Sequence, residues 1–433
     1  GYSDSFPSER ELLRALLHLI LKEKVLTNTY VVYKLRQRFR IPKHASKKFS
    51  DKVRYLLKKL KRKRVIKTRK ISAHLYEITL KDLNALIDLI NKSDCPKHVN
   101  LVHGCLSPKF ARASNIWLSV AKVYWKTSKI TNEDIEEVLE AFEFYLEDIN
   151  IKVLVFVDED GYLHFKKYRT RFNDKSILVK QLKKLEEAFK VASSKYNSAV
   201  FLTLTIPPIF PLKLRLWILS FLLHRLKAFI RRREGKTKPH IKVVEPQASF
   251  NPHFHVVIFD LDFIMDKREL TRFLDNHLEN FLLNLGDYYK KTINNRASSL
   301  AVEYLNKYGK KMFKRYRRYK RKHSSYEGPI NYVSKVKREK NAFCFLSPPP
   351  EIKPLNKSVF DYVKKYIKKA INEVSKGEVT ADVAFYWLMR VSFYSLSPSL
   401  RKKSPPKEPS GWIFVGSFYA DEVEEWESNT VLG

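Results

Sequence analysis

Between Val153 and Phe259 the chain alternates short β-branched runs with long helical ones, which limits the fold to a sheet covered by helices. Val153–Val157 and Tyr162–Lys166 flank Asp158-Glu159-Asp160-Gly161, a hairpin signature. A helical pattern runs from Ile177 to about Lys195. Val200–Ile206 then reads as a strand ended by Pro207-Pro208. A long helix, Leu212–Arg233, leads to two more strands, Ile241–Glu245 and His253–Phe259, and a further helix spans Lys267–Leu285. The expected fold class is therefore α+β, with a sheet domain over 150–400. Residues 288–330 read as an insertion with a basic centre at Lys310-Lys311 and Lys314–Lys322. There Arg315, Arg317 and Arg318 would hold phosphates while the interleaved tyrosines stack on bases, a combination suited to a single strand.

Residues 1–95 read as a separate small domain. Ser8 and Glu11 have capping-box spacing ahead of Leu12, Leu13, Leu16, Leu17 and Ile20. A second helix covers Thr29–Phe39. A third puts Phe49, Val53, Leu56, Leu57 and Leu60 on one face and lysines and arginines elsewhere. Val65–Lys70 and Leu75–Thr79 form a basic hairpin. Three helices and a hairpin make the winged-helix pattern, in which the third helix enters the major groove, so Lys52, Lys58, Lys59 and Arg62 are candidate DNA contacts. Residues 96–150 read as a helical connector with an acidic helix over Asn132–Asp148, and 401–433 as a peripheral tail that ends acidic, at Asp421, Glu422, Glu424, Glu425 and Glu427.

Charge narrows the partners. Lysine plus arginine number 83 against 46 acidic residues, a formal net charge of +37, and the excess recurs in clusters interleaved with aromatics, which points to nucleic acid. With 44% hydrophobic and 13% aromatic residues, disorder is excluded for the bulk of the chain. Three cysteines (Cys95, Cys105, Cys344) favour a reducing compartment over a disulfide framework. The longest apolar run, Leu216–Leu223, is too short to span a bilayer, so a cytoplasmic, nucleoid- or plasmid-associated protein with no membrane partner is expected.

Two patterns carry chemistry. In Pro252-His253-Phe254-His255-Val256-Val257-Ile258-Phe259, strand alternation puts both imidazoles on one face, within reach of one cation. Glu245 closes the preceding strand and supplies an oxygen. Two imidazoles and a carboxylate suit Mg²⁺ or Mn²⁺ acting on a phosphate, with zinc open on ligand type. In Asp361–Lys369, helical spacing sets Tyr362, Lys365, Tyr366 and Lys369 on one face. A tyrosine there can attack phosphorus and a lysine can support the developing anion. Tyr304 and Tyr308 have the same spacing as Tyr362 and Tyr366, and Tyr332 is a third candidate. The apolar stretches after Tyr366, Ala384–Trp387 and Arg390–Ser395, favour Tyr362. Cys95, His98, His103 and Cys105 are of zinc-ligand type at an atypical spacing, and ordinary linker residues are the expected reading.

Phe201-Leu202-Thr203-Leu204-Thr205, then Glu245–Phe259, then Tyr362–Lys369 resemble the three ordered motifs of rolling-circle replication initiators (Rep proteins). These are HUH endonucleases, and the resemblance is to their two-tyrosine branch, archaeal plasmid members included. It covers roughly residues 200–400. It implies an HUH domain with a central antiparallel sheet flanked by helices. It also implies metal-dependent nicking of single-stranded origin DNA through a 5′-phosphotyrosine, later rejoining of ends, and work beside a host helicase and polymerase. Carried over, His253, His255 and Glu245 would be metal ligands, Tyr362 the first nucleophile, Tyr366 the second or a helper, and Lys365 the lysine between them. An HUH transposase or relaxase, a non-enzymatic winged-helix regulator and an RNA-binding protein remain the alternatives. The chain carries no Walker-type phosphate loop, so unwinding is expected from a partner or from supercoiling.

Overall fold

The computed structural model describes residues 6–23, 26–82, 85, 86, 89, 108–126, 129–160, 162–247, 250–353, 357–403 and 411–419. It is a mixed α+β protein, and its contacts divide it into two compact units. The first comprises residues 1–115, 147–169 and 404–433, the second 116–146 and 170–403. No described helix is long and apolar enough to cross a membrane.

In the first unit, α1 (Glu9–Lys22) begins where Ser8 and Glu11 cap each other reciprocally, so two of the helix's orphan backbone donors are satisfied. Its leucines pack with Val31 and Leu35 of α2 (Asn28–Arg38) and with Phe49, Val53, Leu56 and Leu60 of α3 (Ser46–Arg62). Arg40 and Arg64, which follow α2 and α3, adopt left-handed backbone that turns the chain out of each helix. Strands β1 (Leu26–Thr27), β2 (Ile66–Lys70) and β3 (Tyr76–Leu80) form a small antiparallel sheet in the order β1-β3-β2. Beyond 90–107, which include the Cys95, His98, His103 and Cys105 cluster and lie outside the described residues, come α4 (Pro108–Trp125) and α5 (Asn132–Asn150). Val120, Val123, Val138 and Phe142 of these helices are buried in the core of the second unit, so this stretch is more than a connector.

The Asp158 turn does join a hairpin, β4 (Lys152–Val157) and β5 (Leu163–Lys167), but the hairpin does not join the large sheet. Its third strand is β12 (Ile413–Tyr419), from the stretch expected to be a peripheral tail. Charge and proline around residues 401–408 mask that strand in the sequence. The acidic residues 421–427 lie outside the described residues.

The second unit is built on six antiparallel strands in the order β10-β9-β6-β8-β7-β11. These are β6 (Ser198–Leu204), β7 (His240–Pro246), β8 (Pro252–Phe259), β9 (Ile330–Glu339), β10 (Ala342–Phe345) and β11 (Tyr394–Leu396). Helices pack against both faces: α6 (Lys175–Lys195), α7 (Leu212–Glu234), α8 (Lys267–Leu283), α11 (Val359–Lys376) and α12 (Ala381–Met389). Every residue of β8 is buried, which fits a strand covered on both sides.

The 288–330 stretch is two ordered helices, α9 (Leu285–Thr292) and α10 (Ser299–Lys322). Met312 and Tyr316 are buried, and the Tyr316 hydroxyl donates to Asp275 at 2.5 Å. Lys320 reaches Asp275 and Glu279, each at 2.7 Å. Tyr316 is therefore a packing residue, not one free to stack on bases.

Candidate active site

The antiparallel register of the large sheet places Glu245 opposite His253 and Thr203 opposite His255. All four side chains leave the same face, because residues two apart on a strand share a side. The His255 Nε2 edge meets the Glu245 carboxylate, while His255 Nδ1 lies 2.8 Å from the Thr203 hydroxyl. His253 Nε2 lies 2.9 Å from the Thr205 hydroxyl. Thr203 and Thr205 thus repeat the alternation of the histidines one strand away. They stand in the quoted motif, yet hydroxyls at period two read there only as strand formers.

Helix α11 brings the tyrosine motif to this face. Tyr362 is 5% exposed, and its ring stands edge-on to His255 at 5.1 Å and to Phe201 at 5.7 Å. The Lys365 ammonium sits 4.2 Å from the Tyr362 ring centre, 4.7 Å from that of Tyr366 and 3.8 Å from the Glu245 carboxylate. The Tyr366 hydroxyl is buried and has no hydrogen-bond partner, which costs about 1–3 kcal/mol unless a ligand satisfies it. All six residues singled out for catalysis and metal binding therefore meet.

Burial and charge set their protonation. Burial, aided by His255, pushes the His253 imidazole down to about 4, so it is neutral at physiological pH. Burial alone would raise Glu245. The hydrogen bond and charge of His255, then Lys365 and His253, outweigh it and hold the carboxyl below its usual value. Burial, then the charges of Glu245 and Glu351, raise the Tyr362 phenol far above its usual value. A cation must approach before that oxygen can ionise.

Two residues outside the motifs hold the site. Tyr386 of α12 donates to the Val244 carbonyl at 2.7 Å, one residue from Glu245. Arg215 of α7, 1% exposed, donates to the Phe210 and Pro208 carbonyls and to Asn251 at 2.7, 3.2 and 3.1 Å, tying the loop after β6 to the approach of β8. Burial without a carboxylate lowers its guanidinium to about 10. One of several arginines on this helix, Arg215 gives no sequence sign of this.

The rival tyrosines divide: Tyr304 lies away from these residues, whereas Tyr332 shares their sheet face, its ring 6.2 Å from that of Phe201. Tyr304 is 68% exposed on α10, which packs on α8 and α9. Tyr332 lies on β9 opposite Thr203, with its hydroxyl bonded to the Ser347 carbonyl.

The basic candidates divide by what they touch. Lys58 and Arg62 are exposed on α3. Lys52 instead donates to the Pro7 carbonyl at 2.7 Å and Lys59 pairs with Glu9, so these two spend their charge within the unit. A cleft of about 590 Å³ between α3 and the β2–β3 hairpin adds Arg54, Lys61 and His74 to Lys58. On α10, Arg317 and Arg318 are exposed and Arg315 is half-buried.

Among the described residues no group of three or more His, Cys, Asp or Glu side chains is set to hold a metal ion. Compared with family models, curated proteins and solved structures, the chain matches none.

Proposed function

We propose that this chain is a rolling-circle replication initiator. It would nick single-stranded origin DNA through Tyr362, hold the 5′ end as a phosphotyrosine and later rejoin ends, on an HUH-type domain preceded by a winged helix. The observation that carries this reading is the convergence of Tyr362, Lys365, His253, His255 and Glu245 on one sheet face, from two neighbouring strands and a helix distant in sequence. A packing tyrosine needs no ammonium and no imidazole pair beside it.

In the proposed step the Tyr362 oxygen attacks phosphorus and the bond to the 3′ oxygen breaks. The released strand leaves as a 3′ hydroxyl with the proton that Tyr362 gave up. Lys365 would support the developing negative charge from beside the ring; the phenol stays raised with that lysine in place, so a further cation is needed for it to ionise. Tyr366, with its unpartnered hydroxyl, fits the second nucleophile or a donor to the phosphate.

The donor set fits a divalent ion in kind. His253 is neutral, Glu245 is charged, and both lie on one face with His255. Glu245 contacts His255 directly, so it would have to turn toward the ion. Mg²⁺ or Mn²⁺ held there would offset negative charge on the phosphate. In the first unit, the α3 cleft with Arg54, Lys58 and Lys61 fits recognition of duplex origin DNA.

A second reading, a DNA-binding regulator without cleavage, is favoured by the Glu245–His255 pairing and the lack of a three-donor group among the described residues. A transposase or relaxase would share the chemistry and differ in target. Labelled single-stranded oligonucleotides with Mn²⁺, run on a denaturing gel, separate the cutting readings from the regulator, and the sequence that is cut separates initiator from transposase or relaxase. A protein-linked band lost in Tyr362→Phe but kept in Tyr304→Phe supports the initiator class. No band with any origin-bearing sequence or metal leaves the regulator.

A further inference from the structure

The inner face of the β12-β4-β5 sheet carries Val153, Val155, Phe165 and Phe418. Its outer face is aromatic and open. By register Phe414, Phe156 and His164 form one row across the three strands. Trp412 lies flat on His164, with ring centres 4.0 Å apart and planes 16° apart, and Phe156 and Phe414 are 5.5 Å apart. Lys166 stands 4.8 Å from the Trp412 ring centre and 5.6 Å from that of Phe156. Phe414 is 53% and Trp412 37% exposed. Of the acids in the adjoining turn, Asp158 is engaged by His164 at 2.7 Å and by the backbone amides of Asp160 and Tyr162 at 2.9 Å each, Asp160 pairs with Arg38 at 3.2 Å, and Glu159 lies beside Gly411.

We propose that this face is a second docking surface, one that takes single-stranded DNA by stacking bases on Trp412, Phe414 and Phe156 while Lys166, on the same face, meets a phosphate. A strand of nucleic acid matches what is exposed: flat rings spaced along a row, with the Lys166 ammonium beside them and Asp158 and Asp160 occupied. An apolar protein face would leave the Lys166 ammonium without an anionic partner. The choice of DNA over RNA rests on the proposed nicking reaction; the stacking surface does not.

The test is photocrosslinking of the whole protein, in EDTA and at raised salt, to an oligonucleotide of about 15 nucleotides with iododeoxyuridine in place of thymidine. Peptide mapping should find the adduct on Trp412, Phe414 or Phe156. Fluorescence anisotropy with the matching oligothymidylate should show binding weakened about ten- to a hundredfold in Trp412→Ala/Phe414→Ala and restored by Trp412→Phe in the Phe414 background. Lys166→Ala, at an exposed site, should weaken binding with no change in far-ultraviolet circular dichroism. Adducts confined to α10, unchanged affinity, tighter binding of oligouridylate, or a dimer dispersed by these substitutions would each overturn the proposal. A crosslink without nicking activity sinks the nicking reaction alone, and nicking without a crosslink sinks this surface alone.

Discussion

The two larger sheets of this protein use the same strand alternation to opposite ends. In the six-stranded sheet, helices cover both faces, so His253, His255, Glu245 and Thr203 are buried and each must find a partner within the protein. In the β12-β4-β5 sheet one face stays open, and His164, Trp412 and Lys166 stack on one another in contact with water. Burial makes the first group expensive to disturb and chemically specialised, with a neutral imidazole and a phenol that resists ionisation. Exposure makes the second cheap to alter and suited to reversible binding. A sheet's covering thus decides whether its polar residues serve reaction or attachment.

The sharpest break in that contrast concerns activity. Tyr362→Phe should lower formation of the protein–DNA adduct at least about a thousandfold, whereas Phe156→Ala on the open face should leave a measurable adduct on the same gel. Next comes stability. His255→Ala takes the hydrogen-bond partner from the buried Glu245 carboxylate and leaves it only Lys365 at 3.8 Å, which should cost about 3 kcal/mol in urea denaturation. His164→Ala, at a half-exposed site, should cost less than about 1 kcal/mol. Equal costs would erase the distinction.

Acid gives a smaller effect. Burial, with Lys227 and Lys242 nearby, pushes His240 of β7 down to about 4, against an ordinary value of about 6.5 in the unfolded chain. The unfolded chain therefore takes up the proton first. The stability involved is complete above about pH 6.5 and drains away as pH falls toward 4, by at most about 3 kcal/mol. His240→Gln should flatten that part of a thermal midpoint against pH profile, and an unchanged slope would show that His240 is not kept neutral. Smallest is Tyr386→Phe, which strands the Val244 carbonyl and should cost about 1–2 kcal/mol by the same denaturation.

Much of this arrangement is legible in the sequence where one physical rule dominates. The Ser8 capping box, the amphipathic α3 and the β-branched runs of β6, β7 and β8 fall close to their expected places. The convergence of Tyr362 with His255 follows from motif order and is realised by packing of α11. What stays hidden has mixed signals. Ile330–Glu339 mixes apolar with basic residues just after a polybasic helix, so the neighbour of β6 has no strand reading in the sequence. Lys52 and Lys59 look like groove contacts until Pro7 and Glu9 are found beside them. Long-range pairing, as between β4 and β12, leaves no local trace at all.

That last pairing has a consequence for the order of synthesis. Residues 152–157 leave the ribosome some two hundred and fifty positions before 413–419, and the larger part of the second unit, residues 170–403, is made in between. Until then β4 presents an unpaired edge of Val153, Val155 and Phe156 to anything with a free strand. A nascent chain must either be shielded at that edge or fold its inner unit fast enough that the wait is short.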